Sequence, residues 1–312
     1  MRKPHILISI VTDTDTTKWE FGRKVLEIFC ETSPRMVPDR FDSDTRIKKP
    51  FYDIAACEKY WAVKTIIDAG EEGRWLTTWA CGWKRSKAVK YSYEMSHTFP
   101  YVNRLGELHL GWLHGNADAN KKIDWNRLFH SLVELANPQF AILHLFTDIE
   151  TRDDAFGTDE HAIVAKDDFL RGPPAVILED RGVPNLGWAT FFGRAYTREI
   201  DAEKLRANGF AVETIGDGHL VTLTENIFDV ADNFALFSAR RVELKKLLRP
   251  GFIRLANEPL NQVTTSPPPV SPLAAPGTNE PLNQATTSPP VDFGPRYPPL
   301  LNGSWVIPTL RG

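Results

Sequence analysis

Cysteine is nearly missing from this 312-residue sequence: Cys30, Cys57 and Cys81 are all there are, widely spaced and odd in number. That excludes a disulfide framework and a CxxC metal knuckle. It fits a reducing compartment in which isolated cysteines act as small buried hydrophobes. Long apolar runs are missing too. No segment approaches the roughly 18 apolar residues of a membrane span, and the apolar stretch after Met1-Arg2-Lys3 meets Asp13 and Asp15 too soon for a signal peptide. Charge of one sign is not in excess: the formal net charge is −3, so no cationic field points to nucleic acid. GxSxG, HExxH, GxxxxGK[ST] and GxGxxG are all absent. A chain that is 42% hydrophobic and 25% charged, without these features, is expected to be a soluble cytoplasmic protein with no membrane or nucleic-acid partner.

Proline is what the chain has in excess, and it is concentrated. Thirteen of the 23 prolines lie between Pro259 and Pro308. There "NEPLNQVTTSPP" (257–268) recurs as "NEPLNQATTSPP" (279–290), a duplication with a period of 22 residues. A tract this rich in proline builds neither helix nor central strand, so residues 257–312 are expected to form a disordered tail. The preceding residues 1–256 are long enough for one large core or for two subdomains, about 1–137 and 138–256.

Within 1–256, residues 4–12 read as a strand. Residues 17–32 read as a helix, with Phe21, Val25, Ile28 and Phe29 on one face and a capping box at Thr17–Glu20. Strand-like segments follow at 59–69, 74–83, 87–97 and 107–113, separated by short breaks as in an antiparallel meander. A second helix, 124–136, begins at the N-cap Asp124 and stops before Pro138. "FAILHLF" (140–146) reads as a strand, and 212–224 as a hairpin turning at Asp217-Gly218. A final helix puts Val230, Phe234, Phe237, Leu244 and Leu248 on one face. The expected fold is α+β: a mixed, largely antiparallel sheet or sheets flanked by helices.

Four features bear on chemistry. An apolar strand that delivers Asp13-x-Asp15 has the form of a haloacid-dehalogenase-like nucleophile loop, with Asp153-Asp154 or Asp167-Asp168 as the remaining Mg²⁺ ligands. The other account of Asp13 and Asp15 is electrostatic, as carboxylates beside the positive end of the first helix. His109 and His114 stand at a spacing that sends them to opposite faces of a strand, a poor start for a metal site. Trp61, Trp75, Trp79 and Trp83 crowd one region, as core or as an aromatic anchor for a partner. The most skewed charge lies in 147–160, where Asp148, Glu150, Asp153, Asp154, Asp159 and Glu160 face only Arg152. That stretch is either a solvated loop or an acidic lip for a basic surface.

Residues 182–234 carry a set of landmarks: Leu186-Gly187-Trp188-Ala189-Thr190, Phe192-Gly193, Tyr196, Gly209-Phe210, Gly216-Asp217-Gly218, Thr224-Glu225-Asn226 and Asp229. This stretch resembles the C-terminal signature of the immunity protein 52 family, and the likeness extends more weakly over most of 1–256. The family comprises cytoplasmic antidotes encoded beside bacterial polymorphic or type VI secreted toxins. The resemblance implies an α+β fold, no catalytic residue, no cofactor and no metal. It implies a partner that is a cognate toxin, a restriction-endonuclease-like nuclease of the Tox-REase-5 kind, neutralised by stoichiometric binding. Gly187, Trp188, Phe192, Gly193, Tyr196, Gly216, Asp217 and Gly218 then read as architecture; the motifs do not fix the toxin-facing surface, and the charge skew alone points to Asp148, Glu150, Asp153, Asp154, Asp159 and Glu160 as the toxin-binding residues. The alternative from the residues alone is a Mg²⁺-dependent phosphatase using Asp13 and Asp15.

Overall fold

The computed structural model describes residues 3–43, 46–68, 75–103, 106–151, 183 and 185–253. The proline-rich repeat and most of the acidic stretch lie outside the described residues.

The apolar run near the amino terminus forms β1 (His5–Thr12) at the centre of the sheet, hydrogen-bonded on one side to β6 (Gly106–Asp118) and on the other to β7 (Phe140–Phe146). The remaining strands are β2 (Arg40–Asp42), β3 (Lys64–Asp68), β4 (Trp75–Arg85), β5 (Tyr91–Asn103), β8 (Ala189–Phe192), β9 (Ala211–Ile215) and β10 (Gly218–Thr222). They assemble in the order β2-β4-β5-β6-β1-β7-β8-β10-β9, with β3 paired to β4 off that path. Every pairing between these strands is antiparallel, and the sheet runs without interruption across residue 137. The architecture is α+β, as the mixture of periodicities predicts.

Period-two alternation divides the sheet into two faces. Ile6, Ile8 and Ile10 share one face with Tyr93, Met95 and Leu113 and are covered by α1 (Trp19–Thr32) and α3 (Trp125–Ala136). Phe29 of α1 packs edge-on against Trp83 and Tyr93, with ring centroids 5.4 and 4.8 Å apart. Each such side chain contributes roughly 1.5–3 kcal/mol of burial. The helix approaches this closely because of Gly22: a Cβ there would sit within the indole of Trp61, the last residue of α2 (Glu58–Trp61). The opposite face carries Leu7, Ser9 and Trp112, and further along it His144 meets Phe237 of the last helix. That helix, which follows the short α5 (Ala202–Ala207), is split: α6 (Asp229–Asp232) ends at Asn233, whose side chain caps α7 (Phe234–Leu247) by accepting the Leu236 N–H. The face predicted for it is nonetheless the buried one, with Val230, Phe234, Phe237, Leu244 and Leu248 all inside.

Three expectations need correction. No capping box forms at Thr17–Glu20: the helix starts two residues later, because the Asp15 carboxylate takes both the Thr17 N–H and its hydroxyl. Residues 58–61 are helical and the strand begins only at Lys64. β5 and β6 are longer than the alternation suggests: β5 continues past a bulge between Ser96 and Phe99, and Pro100 pairs with His109 beyond it. Its described pairing with β4 ends at Ser96, so Pro100 sits on an edge stretch of β5, where a sheet tolerates proline.

Candidate functional site

β7 and β10 both run antiparallel to β8, so their carboxyl ends share one pole of the sheet. β1 is antiparallel to both β6 and β7, and the end of β6 at Asp118, opposite His5, therefore reaches the same pole. Three connections leave there: one into α3, one from Thr147 into α4 (Asp148–Thr151), and one from Leu223 into α6. Beside the connections into α3 and α6 lies an open groove of about 1000 Å³. Its lining includes Asn126 from α3, Trp188, Glu213 of β9, Glu225, Asp229 of α6, and Leu236 and Arg240 of α7.

The groove wall is firm where Trp188 forms it. The Trp188 backbone N–H donates to His144 Nδ1 at 3.0 Å, and its indole N–H donates to the Thr224 hydroxyl at 3.0 Å. Thr224 in turn donates to the Asn226 carbonyl, which fixes the connection after β10. Glu213 is held from α3: the His130 ring lies 2.9 Å from its carboxylate and 3.4 Å from that of Glu134. Arg240, the one cation among the described residues of the lining, is engaged by Glu243, by the Gly209 carbonyl at 2.8 Å, and by the Phe210 ring at 3.9 Å. Leu236, one turn before it, is 45% exposed.

The signature residues sort into two groups. Phe192 and Tyr196 meet Phe140 edge-on at 5.8 and 5.7 Å, and Tyr196 also meets Phe252 at 5.9 Å. Gly187 and Gly193 leave no room for a Cβ against Ile142 and the Pro138 carbonyl, so both are close-packing positions. Gly216 and Asp217 turn the β9–β10 hairpin, with Gly216 at φ +52°, and Gly218 opens β10. Trp188, Gly209, Thr224, Glu225 and Asp229 instead converge on the groove. Sequence reasoning takes Trp188 as core and assigns the other four no role beyond landmarks, and no single-stretch pattern says that residues from β9, β10 and three helices meet around them.

The other candidates are placed as follows. Asp148 and Glu150 lie in α4 at the same pole; Asp153, Asp154, Asp159, Glu160 and the carboxylate pairs 153–154 and 167–168 fall outside the described residues. Asp13 accepts from the Gln139 amide at 2.7 Å and lies 3.6 Å from Arg194, while Asp15 serves Thr17. The bond from Thr17 is also the chief reason that the Asp15 carboxyl lies below its usual value. His114 stacks on Trp112 at 3.7 Å with a buried, unpartnered Nδ1, and burial pushes its value down to about 4. His97 is a core histidine between the Thr16 hydroxyl and the Trp61 carbonyl. Trp61 and Trp83 are fully buried neighbours, 6.3 Å apart. Among the described residues no group of His, Cys, Asp or Glu is placed to hold a metal ion, and no helix is long and apolar enough to cross a membrane.

No family model and no curated protein matches the sequence. A solved structure, that of the Pseudomonas aeruginosa T6SS protein PA0821, is similar at 11% identity and a TM-score of 0.45, covering 79% of this chain and 73% of that one. A likeness that loose fixes neither ancestry nor role.

Proposed function

We propose that the protein is an immunity protein, which binds a secreted bacterial toxin in the cytoplasm and neutralises it by stoichiometric association, without chemistry of its own. The observation that carries this reading is the convergence of Trp188, Gly209, Thr224, Glu225 and Asp229, all within the immunity protein 52 signature, on a single open groove. An inhibitor of this kind needs shape, an apolar anchor and matched charge. The toxin this reading calls for is a restriction-endonuclease-like nuclease of the Tox-REase-5 kind, whose phosphate-binding groups are basic. The acidic stretch that starts with Asp148 and Glu150 at the groove's pole, and continues through Asp153, Asp154, Asp159 and Glu160, supplies the opposing carboxylates.

The test is the product of the neighbouring gene, expressed alone and together with this chain. Protection of the host and co-elution in fixed stoichiometry are expected. A neighbouring toxin that kills equally in the presence of this chain overturns the reading. Reversal of Asp153, Asp154, Asp159 and Glu160 to Lys is expected to weaken the complex by more than about tenfold. Unchanged affinity at low salt removes the acidic stretch from the interface.

A further inference from the structure

The chemistry of the groove specifies what enters it. The described residues of its lining include three carboxylates, Glu213, already paired with the His130 ring, and Glu225 and Asp229; the guanidinium of Arg240 is paired with Glu243. The described lining is therefore net negative through Glu225 and Asp229. Leu236, 45% exposed, stands in the same lining and loses water when an apolar group covers it. Glu213 projects from β9, the last strand of the sheet, and His130 ties that strand to α3. Rigid walls, a negative interior and one apolar contact together fit an extended cationic segment better than a small ligand.

We propose that the groove docks a Lys/Arg-bearing protein segment, seating an apolar side chain on Leu236 and its cations on Glu225 and Asp229. The partner's identity as a toxin rests on the immunity reading; the chemistry of the segment does not. Glu225 and Leu236 are the residues to alter, because both are exposed and neither holds another element in place. Asp229 is less suitable, since it accepts the Asn226 N–H at 3.3 Å.

The probe is a short Gly/Ser peptide carrying interspersed lysines and leucines, compared with the same peptide carrying glutamate for lysine. Calorimetric titration of the full chain is expected to give saturable, stoichiometric binding of the lysine peptide and none of the glutamate peptide. Glu225→Lys with Leu236→Ser is expected to weaken binding on the order of tenfold or more, whereas Glu31→Lys on the distant α1 leaves it unchanged. Circular dichroism melts check that the variants are folded, and Glu225→Lys alone provides a milder second variant. Equal affinity for the two peptides, or full affinity in the folded double variant, overturns the proposal. If the parent chain binds the lysine peptide yet fails to protect against the neighbouring toxin, the immunity reading falls and the groove's chemistry stands.

Discussion

At the residue scale, the ionisable groups of the sheet are set by burial. The Glu94 carboxyl on β5 is raised from 4.5 to about 7 by loss of water, against a weaker opposing bond from Ser96. A folded-state value above the unfolded one means that the fold favours the neutral acid. That advantage is complete below about pH 4.5 and is lost as pH rises through about 7. Glu94→Gln, neutral throughout, is expected to match the parent's melting temperature near pH 5 and to exceed it by several degrees near pH 8, as calorimetry would measure. The thiols follow the same physics: burial pushes Cys57 up to about 12 and Cys81 well above its ordinary value. Both are expected to resist alkylation in the folded chain, with Cys30 labelled first.

At the element scale, α3 is fastened to β9 by His130. Partial burial opposes the charged ring, but the bond and charge of Glu213, and then those of Glu134, outweigh it and raise its value. The stabilisation is present below the ordinary histidine value and is lost as pH rises through the raised one. His130→Gln should therefore lower the melting temperature near pH 6 and leave it unchanged near pH 9. Gly22→Ala tests the other side of the molecule. Its methyl group meets the Trp61 indole, at an expected cost of about 1–3 kcal/mol in chemical denaturation. Elements with a local cause are legible in the sequence: Asp124 caps α3 as read, and the β9–β10 hairpin turns at Gly216-Asp217 beside Gly218. Where a side chain chose a partner that local pattern does not contain, the reading fails. Asp15 took Thr17 away from the expected cap, Asn233 divided the last helix, and β5 ran on past a bulge to pair Pro100 with His109. The groove was illegible for the same reason, because Asn126, Trp188, Glu213 and Leu236 are brought together only by the order of strands.

At the scale of the whole molecule, the described core draws on residues from Ile6 to Phe252. A chain ending at Ala256 is expected to melt at the parent's temperature and to bind the neighbouring toxin equally well; a lowered melting point would assign the proline-rich segment a share in the fold. The sheet that carries this core is organised around β1, whose two partners, β6 and β7, end at Asp118 and Phe146. A ribosome adds about 5–20 residues per second. The isoleucine-rich strand is thus made on the order of ten seconds before the strand that closes its second side. In every round of synthesis Ile6, Ile8 and Ile10 wait in water for a partner not yet translated. Chaperones, and the same strand on neighbouring nascent chains, compete for them in that interval.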